Sequence, residues 1–469
     1  MCAFQRFNRL VIAVGVLLVS IGCAQTTEPL NPIAQGQTTE PPRSVSAGGQ
    51  TAEPSRSVAA GGQTAEPSRS VAVGAQATEP PSRPVGGATQ TTEPSLSPAT
   101  AVQSAEPTRN AVAVVQPAEL PRSAGAATGA TESKDTAAAV RTAAILLAGQ
   151  QPVTGLPPAL AQSPRWAAFA TEVTANWARY SQKIADPMSQ WALAELSVAA
   201  ETVFYPFSGP DFVTVHQLFP AAKRYVMMAM QNAERPLDLA NLAPELIDPS
   251  LGVLTSAWRH FGENGFYVTE YLEKYLYSTR ANIGASTFIV SFLSLQGFEI
   301  ERVVPIQVAA DGSLQEISVD TPRWRSVRIQ ATKQGKPVVI DYLKIDLSNP
   351  GLQGSPENLT LIRSLTKNPV LFKAASHLPQ NVGFSMIANQ VLENSPLIVQ
   401  DETGLSYSTL LRAHQVALFG KFVNAHHAFP SYHHDLAKAF AQRDDIKPLN
   451  FRFGYFKDGS YALMIASRK

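Results

Sequence analysis

Four short stretches of this chain gather side chains able to bind a ligand or move a proton. "VFYPFSGPDF" (203–212) offers Tyr205, Ser208, Gly209 and Asp211; "VVIDYLKIDLSN" offers Asp341, Tyr342, Lys344, Asp346 and Ser348. "LFKAASHL" brings Lys373, Ser376 and His377, and "QDETG" brings Gln400, Asp401 and Glu402. A hydroxyl beside a base would suit acyl transfer, and carboxylates facing across a cleft would suit acid–base hydrolysis. A Ser-His-Asp set can be drawn on paper from so many groups. No Gly-x-Ser-x-Gly elbow supports it, because Ser208 has Pro206 and Pro210 as its second neighbours. Asp211 also has a plain structural role open to it, as the cap of the following helix. The expected ligand groups are Tyr205, Ser208, Gly209, Asp211, Asp346, Ser348, Lys373, Gln400 and Asp401, with no catalytic residue assigned. A hydrolase using Ser208 or the Asp346 and Asp401 carboxylates is the alternative.

"HHAFPSYHH" places His426, His427, His433 and His434 together. Imidazole is a common metal ligand, yet adjacent histidines tend to point apart and the spacing fits no known zinc helix motif, so surface histidines are the expectation and a metal site the weaker reading.

The elements that must hold these loops follow from periodicity. "TVFYPF" reads as a buried strand, "VTVHQLFPAAK" as a short helix to Phe219, and "RYVMMAM" as the next strand. "STFIVSFLSLQGFEIERVVPIQV" is a buried helix closed by Gly297 and then a strand; "RSVRIQATKQGKPVVIDYLKIDL" is a hairpin. Helix "FSMIANQVLENS", strand "PLIVQ", helix "DLAKAFAQR" and a final hairpin "FRFGYFKDGSYALMIA" complete the pattern. The fold class is α/β: a mostly parallel, Rossmann-like sheet with antiparallel hairpin additions, whose opening is methyltransferase-like. In such a sheet ligands sit outside the carboxyl ends of the strands, where "PFSGPDF" would lie. No cofactor is expected. The opening lacks Gly-x-Gly, and its second strand ends in Met230-Gln231 with no acidic residue for a ribose. Residues 135–200 read as a helical section, where Ser163 and Pro164 start a helix whose stripe of Trp166, Phe169, Val173 and Trp177 faces a core. Residues 201–469 form the α/β domain.

The amino-terminal part is of another kind. Arg6 and Arg9, the apolar run Leu10–Gly22 and then Cys23 form an export signal over residues 1–23, and Ile21-Gly22-Cys23 resembles the end of a lipobox, with Ser20 where that motif usually has Leu. Acylation of Cys23 would anchor the chain in the cell envelope; cleavage after Ala24 is the alternative. If the cell is Gram-negative, Ala24 suits the periplasmic face of the outer membrane. Residues 24–134 repeat "GGQTAEPSRSVAA" with drift, and Glu40, Glu53, Glu66 and Glu79 recur every 13 residues. Poor in large apolar groups, these units cannot offset an ordering entropy of roughly 1–2 kcal/mol per residue, so a disordered tether is expected, reaching roughly 60 Å. No cysteine follows Cys23, which excludes a disulfide framework or a thiol nucleophile beyond it. The net charge of +1 gives no reason to expect a nucleic-acid partner. The expected partners are the membrane, through Cys23, and an unknown small molecule or envelope component.

Taken as an ordered set, "VFYPFSGPDF", "LFPAAKRYVMM", "DYLKIDLSN", "LFKAASHL" and "LIVQDETGLSY" resemble a family of uncharacterised bacterial exported proteins and lipoproteins. The resemblance spans roughly 191–461 and implies a shared fold with no known reaction. Members more often read Asp-Asp-Thr-Gly-Ile-Pro-Tyr where this chain has Asp401-Glu402-Thr403-Gly404-Leu405-Ser406-Tyr407.

Overall fold

The computed structural model describes residues 130–196, 198, 200–276, 279–423, 434–455 and 459–469. The export signal, Cys23, almost all of the repeats and His426, His427 and His433 lie outside the described residues.

Ten strands form one sheet: β1 Thr202–Pro206, β2 Arg224–Ala229, β3 Glu299–Val308, β4 Leu314–Glu316, β5 Ser326–Lys333, β6 Lys336–Lys344, β7 Val370–Phe372, β8 Leu397–Gln400, β9 His414–Lys421 and β10 Tyr461–Arg468. Their order is β4-β3-β5-β6-β2-β1-β7-β8-β10-β9. The five central strands, β6-β2-β1-β7-β8, are parallel. Both flanks are antiparallel.

The middle strands β1 and β2 bury apolar side chains on both faces, as burial on both sides demands. Val203 and Tyr205 of β1 and Tyr225 and Met227 of β2 join one core; Phe204, Val226 and Met228 join the other. Over the first face lie α1 Ala130–Leu147, α2 Trp166–Tyr180, α3 Asp186–Glu195, α4 Phe212–Leu218, α5 Pro244–Asn264 and α6 Ala285–Leu295. Over the second lie α7 Pro356–Leu365, α8 Ser385–Asn394, α9 Tyr407–Leu411 and α10 His434–Gln442. The crossover from β1 to β2 uses α4 on the first face, while those from β6 to β7 and from β7 to β8 use α7 and α8 on the second. The chain therefore winds away from the β1/β7 junction in both directions, as right-handed crossovers require.

Three expectations are corrected. The sheet is mixed, not mostly parallel, because the strand after helix α6 does not cross over to a parallel neighbour; β3 is followed by hairpins, so β3, β4 and β5 extend the sheet as an antiparallel edge. The final hairpin does not form as read. Both edges of β10 are taken, by β8 and β9, while the chain at Phe451 and Phe453 turns its rings into the core, Phe451 lying 5.7 Å from Trp191. Helix α2 begins at Trp166, two residues beyond the proposed first helical position: the Ser163 hydroxyl accepts from Arg165 N–H and donates to Asp248 across to α5.

The hairpin between β5 and β6 turns at Gln334 and Gly335, both with positive φ (51° and 75°), as a two-residue connection needs. The helical section has no core of its own. Arg141 of α1 donates to the Ile300 carbonyl of β3, and Ser291 of α6 donates to the Leu147 carbonyl, tying α1 to the sheet through α6 and β3.

Gly284, at the start of α6, has no space for a side chain: a β-carbon there would collide with the Ala233 carbonyl. Gly284→Ala is expected to destabilise the protein by about 1–3 kcal/mol, read as a lower Tm by differential scanning calorimetry. An unchanged Tm would show that the loop at Ala233 yields freely.

Candidate functional site

The carboxyl ends of β1, β7 and β8 carry the loops "PFSGPDF", "KAASHL" and "DETG", and these three meet. Lys373, the first residue after β7, is 4 % exposed. Its Nζ donates to Asp211 Oδ2 at 2.9 Å, to Thr214 Oγ1 at 2.9 Å and to the Gly265 carbonyl at 2.8 Å. All three ammonium protons thus have acceptors. Asp211 is equally satisfied: Oδ1 accepts from the backbone and hydroxyl of Thr214, and Oδ2 accepts from Tyr205 O–H at 3.2 Å as well as from Lys373. Burial, with the Asp211 charge adding, pushes the Tyr205 phenol well above its usual range, so it acts as a neutral donor. Asp211 is both the cap of α4 and one half of a buried ion pair.

Asp401 serves the neighbouring backbone. Its Oδ2 accepts from Ala374 N–H at 2.6 Å, its Oδ1 accepts from Thr403 N–H and O–H, and Thr403 Oγ1 in turn accepts from Ala375 N–H at 2.7 Å. These bonds clamp a contorted segment. Ala374, Ser376 and His377 all adopt positive φ (51°, 51° and 58°), a region costing on the order of 1 kcal/mol or more for a residue with a β-carbon. Gln400 closes the next loop on itself, donating to the Leu405 carbonyl and accepting from Leu405 N–H.

Glu402 is buried beside Asp401. Its Oε1 accepts from Tyr455 N–H at 3.1 Å, while Oε2 has no hydrogen-bond partner among the described residues and lies against Gly454. Burial, and then the Asp401 charge, raise the Glu402 carboxyl to about 8; burial raises Asp401 as well. Tyr455 O–H donates to or accepts from Ser376 Oγ at 3.0 Å, and its ring stands 6.0 Å from that of His377.

Other expected groups go elsewhere. Ser208 is buried, its hydroxyl donating to backbone carbonyls of Gly209 and Met228, and Gly209 takes φ 52° in the turn. Asp346 accepts from Ser348 N–H, and Ser348 caps the helix Asn349–Gln353. That loop follows β6, four strands from β8, so Asp346 and Asp401 are separated by roughly 19 Å at ordinary strand spacing. This is far beyond the separation of paired glycosidase carboxylates. Asp341, on β6 and fully buried, pairs with Arg224 at 2.7 Å and Arg328 at 2.6 Å, while Tyr342 donates to the Gln231 carbonyl and Lys344 to Asn232. His434 is exposed at the start of α10, and no cluster of potential metal ligands occurs among the described residues.

Beside the clamped loops lies a cleft of about 330 Å³, walled by Pro379–Val382, by Ser385, Ala388 and Asn389 of α8, and by Leu405, Ser406, Thr409 and Arg412 around α9. Sequence reasoning assigned none of these wall residues to a site. Their types are common on any surface, and only the fold brings them together; Gly265 and the Thr214 hydroxyl, which complete the Lys373 site, were equally silent. Comparison with known proteins found no matching family model, curated protein or solved structure.

Two outcomes follow from this geometry. Lys373→Met would leave Asp211 buried and unpaired, and is expected to cost about 3–5 kcal/mol in chemical denaturation; a loss under about 1 kcal/mol would show that the pair is dispensable. For Glu402, the folded carboxyl at about 8 lies above its unfolded value, so the folded state holds a proton that the unfolded chain releases. Its contribution must therefore fall as pH rises from about 4.5 to 8 and level off above that. Glu402→Gln should flatten this decline, making the variant relatively more stable than the parent at pH 8 than at pH 5, measured by denaturation at both.

Proposed function

We propose that this protein is an exported, lipid-anchored binding protein of the cell envelope, built on a Rossmann-like, methyltransferase-like sheet whose nucleotide crevice is filled. The fold part of this reading is supported by the central strand order, which in order of appearance is 3-2-1-4-5, the order of a doubly wound sheet with its switch point between β1 and β7. The anchoring part rests on the apolar run before Cys23 and the tether-like repeats after it. The resemblance to exported bacterial lipoproteins agrees with the anchoring part.

The observation that carries the binding reading is the Lys373 ammonium at the switch point. In a nucleotide-binding sheet this junction is an open crevice; here Lys373, Asp211, Thr214 and Tyr205 fill it and satisfy one another. A general base or acid must reach substrate, and these groups are buried with their bonds taken. The hydrolase reading gains nothing from Ser208, which faces carbonyls and no base, nor from Asp346 and Asp401, which serve separate loops. What stays open is the neighbouring cleft, at the lower end of the size range for small-molecule sites.

S-Adenosylmethionine, NAD and ATP, each at about 1 mM, are expected to leave the Tm of the intact protein unchanged, since a ligand that binds the folded state must raise it. A clear rise with any of them would overturn the reading of a filled crevice. Cys23→Ser is expected to move the protein from the membrane fraction to the soluble fraction or leave it as uncleaved precursor; unchanged fractionation and mass would remove the lipid anchor.

A further inference from the structure

We propose that the cleft between the β7 and β8 loops binds a sugar acid, a monosaccharide-sized ligand bearing one carboxylate, with Arg412 as the residue that selects the charge. This rests on the reading of the protein as a binding protein and names the ligand class of its open site.

The walls supply the argument. Arg412 is exposed and is the one charged residue among those lining the cleft; its guanidinium makes no ion pair or hydrogen bond among the described residues. An unpaired guanidinium at a cleft wall matches a planar carboxylate through two parallel bonds. No carboxylate side chain lines the cleft to compete for it. The remaining polar groups are neutral and are poised by bonds to their own loops. Gln380 Nε2 donates to the Glu402 and Gly404 carbonyls, which directs its Oε1 away from them; Asn381 Oδ1 accepts from Gly383 N–H, which leaves its Nδ2 protons for a ligand. Asn389 adds an exposed amide. Such a mixture of neutral donors and acceptors suits hydroxyls, each of which both donates and accepts. Val382, 83 % exposed, provides apolar surface for the face of a ring, with the edges of the buried Pro379, Ala388 and Leu405 behind it. One charge, several hydroxyl-compatible groups, a small apolar wall and a volume of about 330 Å³ define a hydroxylated ring with a single acid.

The site is also pre-formed. Gln380 is fixed to the β8 loop, whose Asp401 and Thr403 hold the backbone of the β7 loop, so the two walls are bonded together before any ligand arrives. A cleft that need not be ordered on binding keeps more of its interaction energy as affinity.

The test is calorimetric titration of the intact protein with D-glucuronate and with D-glucose, repeated on Arg412→Gln, whose exposed side chain should leave the Tm unaltered. The expected result is binding of glucuronate, much weaker binding of glucose, and a loss of about 10-fold or more in glucuronate affinity in the variant, the scale of a hydrogen bond to a charged group. Equal binding of the two sugars, unchanged by Arg412→Gln, overturns selection of the acid while leaving a binding cleft. No binding of either sugar overturns the sugar-acid assignment. Neither result bears on the filled crevice, whose failure would instead appear as binding of S-adenosylmethionine, NAD or ATP.

Discussion

The ion pair of Lys373 with Asp211 is the constraint around which the carboxyl edge of the sheet is organised. A lone ammonium or carboxylate in this place would face a desolvation cost of several kcal/mol, so each requires the other and every remaining lone pair and proton requires a partner. That requirement fixes β7 against the start of α4, brings the carbonyl of Gly265 at the end of α5 over the sheet, and orients Tyr205 on β1. Three segments distant in sequence, 205–214, Gly265 and Lys373, are held by one nitrogen and one carboxyl group.

The clamp made by Asp401 and Thr403 is a second layer of the same logic. Left-handed backbone at Ala374, Ser376 and His377 is unfavourable locally and persists because the adjacent loop bonds its amides. This explains why an aspartate in the "QDETG" loop is wholly buried although it touches no cation at hydrogen-bond distance. It also explains why Gln400 and Gly404 sit where they do: the loop must close tightly enough that a β-carbon at Gly404 would strike the Gln400 amide.

Much of the architecture was legible in the residues, for reasons that particular elements make plain. "VFYP" carries a run of apolar and aromatic side chains, which a central strand requires, and the Gly-containing turn within 333–337 announces its hairpin. Direction of pairing was not legible. The same helix-then-strand order precedes β8, which pairs parallel, and β3, which pairs antiparallel, because the difference lies in which neighbour has a free edge. The site divides in the same way. Asp211, Lys373 and Asp401 stood out as charges in apolar company, whereas Thr214, Gly265 and the walls of the cleft have no local signature and exist only through the crossovers. Asp346 and Ser348 had the right composition for a pocket, but their loop closes on its own helix cap.

The outermost strand on the β9 side ends the sheet in a particular manner. Beyond β9, the chain at Lys447 donates to the Leu418 carbonyl and accepts from Gly420 N–H, forming a bridge opposite Phe419. A bare strand there would offer its amides and carbonyls to any extended chain, including the same strand of another copy. Where copies of a protein meet at high local concentration, such templating would spread from one molecule to the next. The two backbone bonds at Lys447 occupy part of that border in advance, so crowding along β9 meets a strand whose outward valences are already partly closed.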